Sequence, residues 1–453
     1  MSIAVAQLKK YSGNAMKDHV RIKLRAALPI EQLPHWQMLL ADRRLERETF
    51  HPDIDRLFRE FNLPFLATRE YAAAQGEWSA DEIAAGLNRI YRLVLTRSGR
   101  VPQALIQRLR LLPAVEQASA TDVGEMELNP PTAALSVNTD KTSRELIYLD
   151  EAHRYSRGHG QIKIAVLDTG VDLQHPELVE RLQPGFDFVN ILDGAAEFIG
   201  DFLEADEVAT DEVGHGTHVA GIIAGKGRAM PVGVAPECQI IPVRVLAAME
   251  KNGKKMGAGL LENINAGVKF AVDQGADVIN MSLGVKHSGG GLPHQEVIDY
   301  ARRKGVTIVA ASGNDGQQEM YYPGAFDSVI AVGAMDAQRE VADFSTYGEQ
   351  VSLIAPGVDV YSSYLDKGYA FSTGTSHAAP FVAGAVALLK SYARGRGKRL
   401  SDNQVKHLLK HTSDKLDRSF KHRKAGYGCL NLADAMRYLD FKLSEGRLRH
   451  DYR

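Results

Sequence analysis

Three short blocks of this 453-residue chain carry side chains that together can attack an acyl carbon. They are Asp168-Thr-Gly170, His215-Gly-Thr-His218 and Gly374-Thr-Ser376-His-Ala-Ala-Pro380. A serine hydroxyl becomes a useful nucleophile when a neighbouring base takes its proton. An imidazole can be that base, and a carboxylate on its other nitrogen fixes the tautomer and favours imidazolium. Ser376, His215 and Asp168 supply one group of each kind. Asn314, after Val309-Ala-Ala-Ser-Gly313, adds an amide that can donate to a developing oxyanion, with the Ser376 backbone N–H as a second donor. Each residue alone also has an ordinary use: an aspartate or asparagine in a turn, a serine at a helix start. His215 and His218 stand three apart, a spacing that also admits a metal. No carboxylate or cysteine accompanies them at ligand spacing, and the block is not HExxH. His218 is therefore expected to pack within its helix.

The flanking residues predict how these groups are held. Asp168 follows an apolar strand, Ile162–Leu167, and Thr169-Gly170 turns the chain there. That puts the carboxylate at the carboxyl edge of a sheet, where α/β folds place their sites. Gly214 and Gly216 flank His215, and small residues lead into a helix over His218–Ala224 that leaves the imidazole exposed at its start. Ser376 opens a helix to about Tyr392, kept slim by Ala378, Ala379, Ala383 and Ala385, with its N-terminus aimed at developing negative charge. Further strands are expected at Gln239–Leu246, Val278–Leu283, Thr307–Ala311, Ser328–Val332 and Val351–Ala355, several of them near-continuous apolar runs. Helices are expected at Leu260–Gln274, Gln295–Lys304 and after Ser401, whose capping-box partner is Gln404. The fold class is α/β: a three-layer sandwich around one doubly wound, mostly parallel sheet.

The front of the chain has another texture. Val20–Ala26 alternates apolar and basic residues, the pattern of a half-buried strand. Ser79 and Glu82 form a capping box before a helix expected to reach Thr96, and Pro102 opens another through Leu112. A strand is expected within Val115–Leu128. These elements suit a small α+β or mainly helical N-terminal domain over residues 20–128. Pro130-Pro131 and the polar stretch after them mark a linker over 129–149, with a short amphipathic piece at Leu146–Tyr155. The second domain covers 150–438 and a basic tail 439–453.

Composition narrows the partners. Hydrophobic residues make up 44% and charged residues 24%, enough apolar material for a large core. A formal net charge of -2 gives no global field toward nucleic acid or an anionic membrane. No apolar run approaches the roughly 20 residues of a membrane span. Cys238 and Cys429 make no disulfide framework and read as two buried thiols. In the leader, residues 1–19, Lys9 and Lys10 follow the apolar residues instead of preceding them, unlike a signal peptide. A cytoplasmic location is the expectation.

The ordered blocks resemble those of the subtilisin-like serine proteases, the subtilases. The likeness lies in DTG at Asp168, HGTHVAG at His215, AASGN at Asn314 and GTSHAAP at Ser376. The chain order Asp, His, Ser is also that family's. It runs over roughly residues 150–438 and includes GYGCLNLADA from Gly426. The resemblance implies a serine endopeptidase acting on proteins or peptides, with no cofactor needed for the chemistry. It implies that a peptide lies extended against Ser282-Leu283-Gly284 by strand addition. Ala311-Ser312-Gly313 would form the opposite wall of the first specificity pocket, and Gly257-Ala-Gly259 another groove edge. Neither wall carries a charge, so an apolar or tolerant pocket is expected; ordinary turn geometry is the other use of these glycines. The rival reading is a catalytically inactive subtilase-like protein that binds peptides or regulates.

Two departures from the family stand out. Forty-six residues separate Asp168 from His215, among them Asp193, Glu197, Asp201, Glu204, Asp206, Glu207, Asp211 and Glu212. They could select basic substrate segments, bind calcium or form a solvated loop, and they lack EF-hand spacing. The Gly225–Val232 segment is short and basic, unlike the asparagine-rich calcium loop many subtilases carry there, so that site is expected to be absent. Structural calcium elsewhere stays possible but unassigned, and Glu177 is expected to be a surface carboxylate. The N-terminal domain could inhibit the second domain, recognise a partner or serve as a scaffold. Asn129–Arg144 is the natural place for self-cleavage.

Overall fold

A computed structural model describes residues 19–29, 33–35, 43–97, 100–120, 123–127, 132–133, 142–189, 206–251, 254–287 and 292–446. Its centre is a seven-stranded sheet. In spatial order the strands are Val351–Pro356, Ile330–Met335, Thr307–Ala311, Val278–Met281, Lys163–Asp168, Gln239–Arg244 and Phe186–Asp187. Every pairing among them is parallel. Along Lys163–Asp168 alternate side chains serve two cores. Ile164 and Val166 join Val219, Ile222, Phe381 and Val382; Ala165 and Leu167 join Ile264, Val268, Val297 and Tyr300. This two-residue period lets one strand feed both faces. Helices His215–Ala224 and Thr375–Gly395 cover the first face, Leu261–Asp273 and Gln295–Arg303 the second. The result is the three-layer α/β sandwich expected from the sequence.

From Lys163–Asp168 the chain first builds toward Phe186–Asp187, then crosses over to build from Val278–Met281 outward. The order therefore reverses between these two central strands. The crevice at such a switch point, beyond the carboxyl ends of the strands, is where open α/β sheets bind ligands. Asp168 and Ser282 lie there.

The N-terminal domain is α+β. Its antiparallel sheet has the order Phe65–Arg69, Ile90–Leu95, His19–Leu24, Val115–Ala120. One face packs on helices Pro52–Glu60 and Gln103–Arg110 through Ile54, Leu57, Phe58, Leu105, Ile106 and Leu109. The helix expected to run from Ser79 to Thr96 is corrected by the structure. Its capping box is present, but the helix spans only Ala80–Ala85 and stops at Gly86, whose φ of 79° is left-handed. Such a glycine ends helices because it lacks the Cβ that disfavours that region. Ile90–Leu95 beyond it is fully buried and paired on both edges, so tertiary pairing overrides the helical start.

The other face of this sheet packs on the second domain. Tyr71, Ala85, Leu87, Ile90 and Val94 share a core with Ile264, Val268, Val297 and Ile298. Charges line the same junction: His19 Nε2 lies 3.3 Å from Glu262, Arg21 3.0 Å and Lys23 3.2 Å from Glu296, and Lys269 2.9 Å from Glu82. Arg21 and Lys23 of the alternating segment thus face protein, while Arg25 is exposed.

Arg144, Ile147 and Leu149 are buried against the second domain, and Arg144 donates to the Val232 and Tyr361 carbonyls. The last helix, Leu432–Ser444, passes residue 438 and buries Leu439. Cys238 and Cys429 are buried and unpaired. Among the described residues no helix is long and apolar enough to cross a membrane.

Candidate active site

Asp168 ends its strand fully buried, and its Oδ1 accepts from the Thr169 N–H at 2.8 Å and from His215 Nδ1 at 2.6 Å. The two segments approach closely because both are glycine-rich. A Cβ on Gly216 would run into the Gly170 carbonyl oxygen, so this position admits no side chain. Burial pulls the His215 pKa down, but the charge and hydrogen bond of Asp168, with a further contribution from Asp211, raise it above its ordinary value. That favours the imidazolium formed when a base takes a proton.

The sequence does not single out Asp211, which reads there as one of many carboxylates in a long loop. Here it is buried and accepts five hydrogen bonds, from Thr169 Oγ1 (2.9 Å), the N–H groups of Val213 (2.9 Å), Gly214 (2.8 Å) and Thr217 (2.9 Å), and Thr217 Oγ1 (2.7 Å). It ties the turn entering the His215 helix to the residue after Asp168. An aspartate four residues before a glycine-flanked histidine at a helix start was the available signal.

Ser376 is the second residue of Thr375–Gly395, where first-turn N–H groups have no intrahelical acceptor. The backbone at Gly374 has φ of 153°, and a Cβ built there would lie 3.1 Å from Ser376 Oγ and 3.5 Å from Asn314 Nδ2. The hydroxyl and the amide therefore flank one small space that a glycine leaves open. Asn314 Oδ1 accepts from the Thr375 N–H and from Thr375 Oγ1, both at 2.9 Å, which turns Nδ2 toward that space. His377, beside Ser376, is buried with its ring 5.1 Å from His215 and 4.6 Å from His218. His218 Nε2 donates to the Val360 and Ala370 carbonyls at 2.9 and 3.2 Å, and burial lowers its pKa to about 3. It is a neutral packing residue, as its place in the helix suggests. Asp168 and His215 thus form one hydrogen-bonded pair, Ser376 and Asn314 flank one space, and His377, next to Ser376 in sequence, packs its ring 5.1 Å from that of His215.

Residues 159–428 match the model of the subtilase family. The chain belongs to the subtilase family. It is 36% identical over 293 residues to a thermophilic serine proteinase of Bacillus sp. (strain AK1), an alignment covering 64% of this chain and 65% of that one. It is 39% identical over 251 residues to the major intracellular serine protease of Bacillus subtilis (strain 168), covering 54% and 73%. Against subtilisin DY of Bacillus licheniformis the figures are 35% over 295 residues, 64% and 96%. These likenesses make it a subtilisin-like serine protease.

Around this subtilase site the expected groove residues take several roles. The Ser282 hydroxyl donates inward to the Ser376 carbonyl at 2.6 Å and accepts from Asn280 Nδ2 at 2.9 Å, and Leu283 is buried. Any contact from this segment to a peptide is left to backbone and Gly284. Ala311 and Ser312 are buried, Ser312 donating to the Thr346 carbonyl at 2.9 Å, while Gly313 has φ of 107°. Gly257 and Gly259 lie in the strand Lys254–Leu260, which pairs antiparallel with the chain's own Val123–Glu127; Gly257 stands opposite Met126 and Gly259 opposite Gly124.

Glu177 is not a surface carboxylate. It is buried and accepts from the N–H groups of Gly227 (2.8 Å), Arg228 (2.9 Å) and Ala229 (2.7 Å), so the short basic turn is organised around a protein anion. A run of adjacent N–H groups makes a natural carboxylate site. Of the long acidic loop, Asp193, Glu197, Asp201 and Glu204 lie outside the described residues. Asp206 caps Val208 N–H at 2.7 Å, and Glu212 pairs with Arg244 at 3.2 Å. Among the described residues no group of three or more histidine, cysteine or carboxylate side chains is set to hold a metal.

Proposed function

We propose that this chain is a serine endopeptidase whose nucleophile is Ser376 and whose groove is occupied by its own N-terminal domain. The observations that carry the first part are the 2.6 Å Asp168–His215 bond, the space flanked by Ser376 Oγ and Asn314 Nδ2, and the His377 ring, next to Ser376 in sequence, 5.1 Å from that of His215. In this reading His215 takes the Ser376 proton as Oγ bonds to the peptide carbonyl carbon. The carbonyl oxygen becomes an oxyanion, held by Asn314 Nδ2 and the Ser376 N–H. His215 returns the proton to the departing amine, leaving an acyl-enzyme that water hydrolyses by the same steps. Asp168 holds the imidazole tautomer throughout.

The strand pairings support the second part. A substrate adding a strand to Lys254–Leu260 would need the edge that Val123–Glu127 takes. Thr132 and Ala133 then pair with Phe371 and Ala370, in the strand that leads to Gly374 and Ser376. Only four residues join these two pairings, so one stretch of chain engages the groove edge and the strand before the nucleophile. An inactive peptide-binding protein would need the groove but no nucleophile, base and oxyanion donor together.

The test is covalent labelling. A fluorophosphonate should label the wild-type chain at Ser376, and Ser376→Ala should lose both labelling and peptide cleavage, by roughly 10⁶-fold in rate. Equal turnover by the two proteins would sink the assignment. Adding residues 1–128 in trans to residues 142–453 should slow cleavage if the domain restrains the enzyme; no effect with both pieces folded would leave it a scaffold.

A further inference from the structure

Gly284 and Gly313 end the two segments that face each other across the expected first specificity pocket. Between them lies the ring of Tyr321. A Cβ built on Gly313 would come within 2.6 Å of Tyr321 Cδ2 and Cε2, and one on Gly284 within 3.1 Å of Tyr321 Cβ and 3.3 Å of Cδ1. One aromatic ring therefore spans the gap and touches both walls. The short antiparallel pairing of Tyr321-Tyr322 with Val285-Lys286, residue 321 opposite 286, fixes it there.

A polar latch sets the ring's direction. Tyr321 Oη donates to Asp315 Oδ2 at 2.8 Å, and Lys286 Nζ, 5.4 Å above the ring, pairs with the same oxygen at 2.7 Å. The Asp315 N–H is held in turn by Thr346 Oγ1 at 3.0 Å. Burial and Asp315 push the phenol up to about 12, so it remains a donor at neutral pH. The Lys286–Asp315 pair is about half-exposed and adds little stability; its effect is to orient the ring. Asp315 and Lys286 also cancel each other's charge, so the pocket mouth selects by volume.

We infer that Tyr321 closes the first specificity pocket and restricts this enzyme to small side chains, of the size of glycine, alanine or serine, at the residue that supplies the scissile carbonyl. This rests on the endopeptidase reading. A space already filled by one ring, pressed on Gly313 too closely for a Cβ and tightly packed on Gly284, has no room for a second. It also differs from the tolerant pocket that uncharged walls alone suggest.

The test uses the full chain and two chromogenic peptides that differ only in the last residue, alanine or phenylalanine. The ratio of their kcat/KM values is read on one preparation, so partial occupancy of the groove cancels. The wild type should favour alanine at least tenfold, and Tyr321→Ala should reverse the preference. Tyr321→Phe, which keeps the ring, should still favour alanine. A wild type that prefers phenylalanine, a Tyr321→Ala ratio equal to wild type, or a Tyr321→Phe ratio like that of Tyr321→Ala overturns the inference. If neither peptide is cut and a fluorophosphonate leaves Ser376 unlabelled, the endopeptidase reading beneath it fails instead.

Discussion

The proposed catalytic cleft and the face where the N-terminal domain docks are both built from buried polar side chains, yet they use them in opposite ways. In the cleft, polar groups keep a spare donor or a reactive oxygen aimed at one space. Asn314 binds Thr375 with its oxygen and leaves Nδ2 free to donate, and Ser376 Oγ lies against the same gap at Gly374. At the docking face the partners are already present. Glu296 receives Arg21 and Lys23, Glu262 receives His19, and Glu82 receives Lys269 as well as the Ser79 N–H. The signs are also crossed: a basic strand meets acidic helix positions, and an acidic helix start meets a lysine. A spare donor marks where something must come and go; a set of ion-paired charges marks where something is held. A buried charge that loses its partner costs about 3–5 kcal/mol, which gives such a face a strong preference for staying closed.

The comparison breaks first, and with the largest effect, if Asn314 proves to be merely structural. Asn314→Ala should lower kcat by roughly 100- to 1,000-fold with little change in KM, the cost of one oxyanion donor. Because Asn314 Oδ1 also holds Thr375, Asn314→Asp is the decisive companion: it keeps an acceptor for Thr375 and removes the donor. A similar loss in both variants assigns the effect to Nδ2. A large rise in KM at constant kcat, or full activity in Asn314→Asp, would move Asn314 out of the cleft's chemistry.

This contrast also explains what the sequence disclosed. The cleft was legible because its geometry depends on backbone approach, and that confines glycine and its neighbour to contiguous blocks. Gly216 must be small where it meets Gly170, so His215 and Asp168 sit in recognisable words. The central strands were legible too, since burial on both faces leaves apolar runs such as Thr307–Ala311, found where expected. Most other boundaries moved by a residue or two, as frayed ends do. The docking face was not legible. The Val20–Ala26 alternation announces a strand, but nothing local says that its basic face meets Glu262 and Glu296 more than 200 positions away. Asp211, Glu177 and Tyr321 were missed for the same reason: each is defined by distant partners. Ile90–Leu95 reads as helix in the sequence because local capping is visible there and sheet pairing is not.

The docking side can be broken by removing one charge. Glu296→Gln keeps the shape and leaves Arg21 and Lys23 facing a neutral amide. If the charges hold the domain closed, peptide turnover by the uncut full chain should rise about tenfold or more, with faster hydrogen exchange in His19–Leu24. The control is Asp53→Asn, which removes an exposed partner of Arg56 on the same domain and should change turnover less than about twofold. Equal effects from the two variants would mean that apolar packing, through residues such as Ile90 and Val94, does the holding alone.

The smallest effect separates the two regions by pH. The His215 pKa is raised above its ordinary 6.5 because Asp168, aided by Asp211, outweighs burial. Only neutral imidazole can take the Ser376 proton, so kcat/KM should climb with pH through that raised value, about tenfold per unit on the acid side, with its midpoint above 6.5. The same shift is a stability term of opposite slope: protonated His215 stabilises the fold fully below 6.5, and the contribution is lost as pH rises through the raised pKa. At the docking face burial opposes ionisation of Glu296, but Arg21 and Lys23 outweigh it and lower its pKa below the ordinary 4.5. That stabilisation is present above 4.5 and lost as pH falls through the lowered value. The domain should therefore stay docked across the whole acid limb of catalysis and loosen only well below it. A pH–rate profile of the full chain, read beside hydrogen exchange in His19–Leu24, checks both windows. An acid limb centred below 6.5 would mean that burial outweighs Asp168 in the cleft. Loosening that tracks the His215 limb would mean that a histidine, and not Glu296, governs docking, with His19 against Glu262 the first place to look.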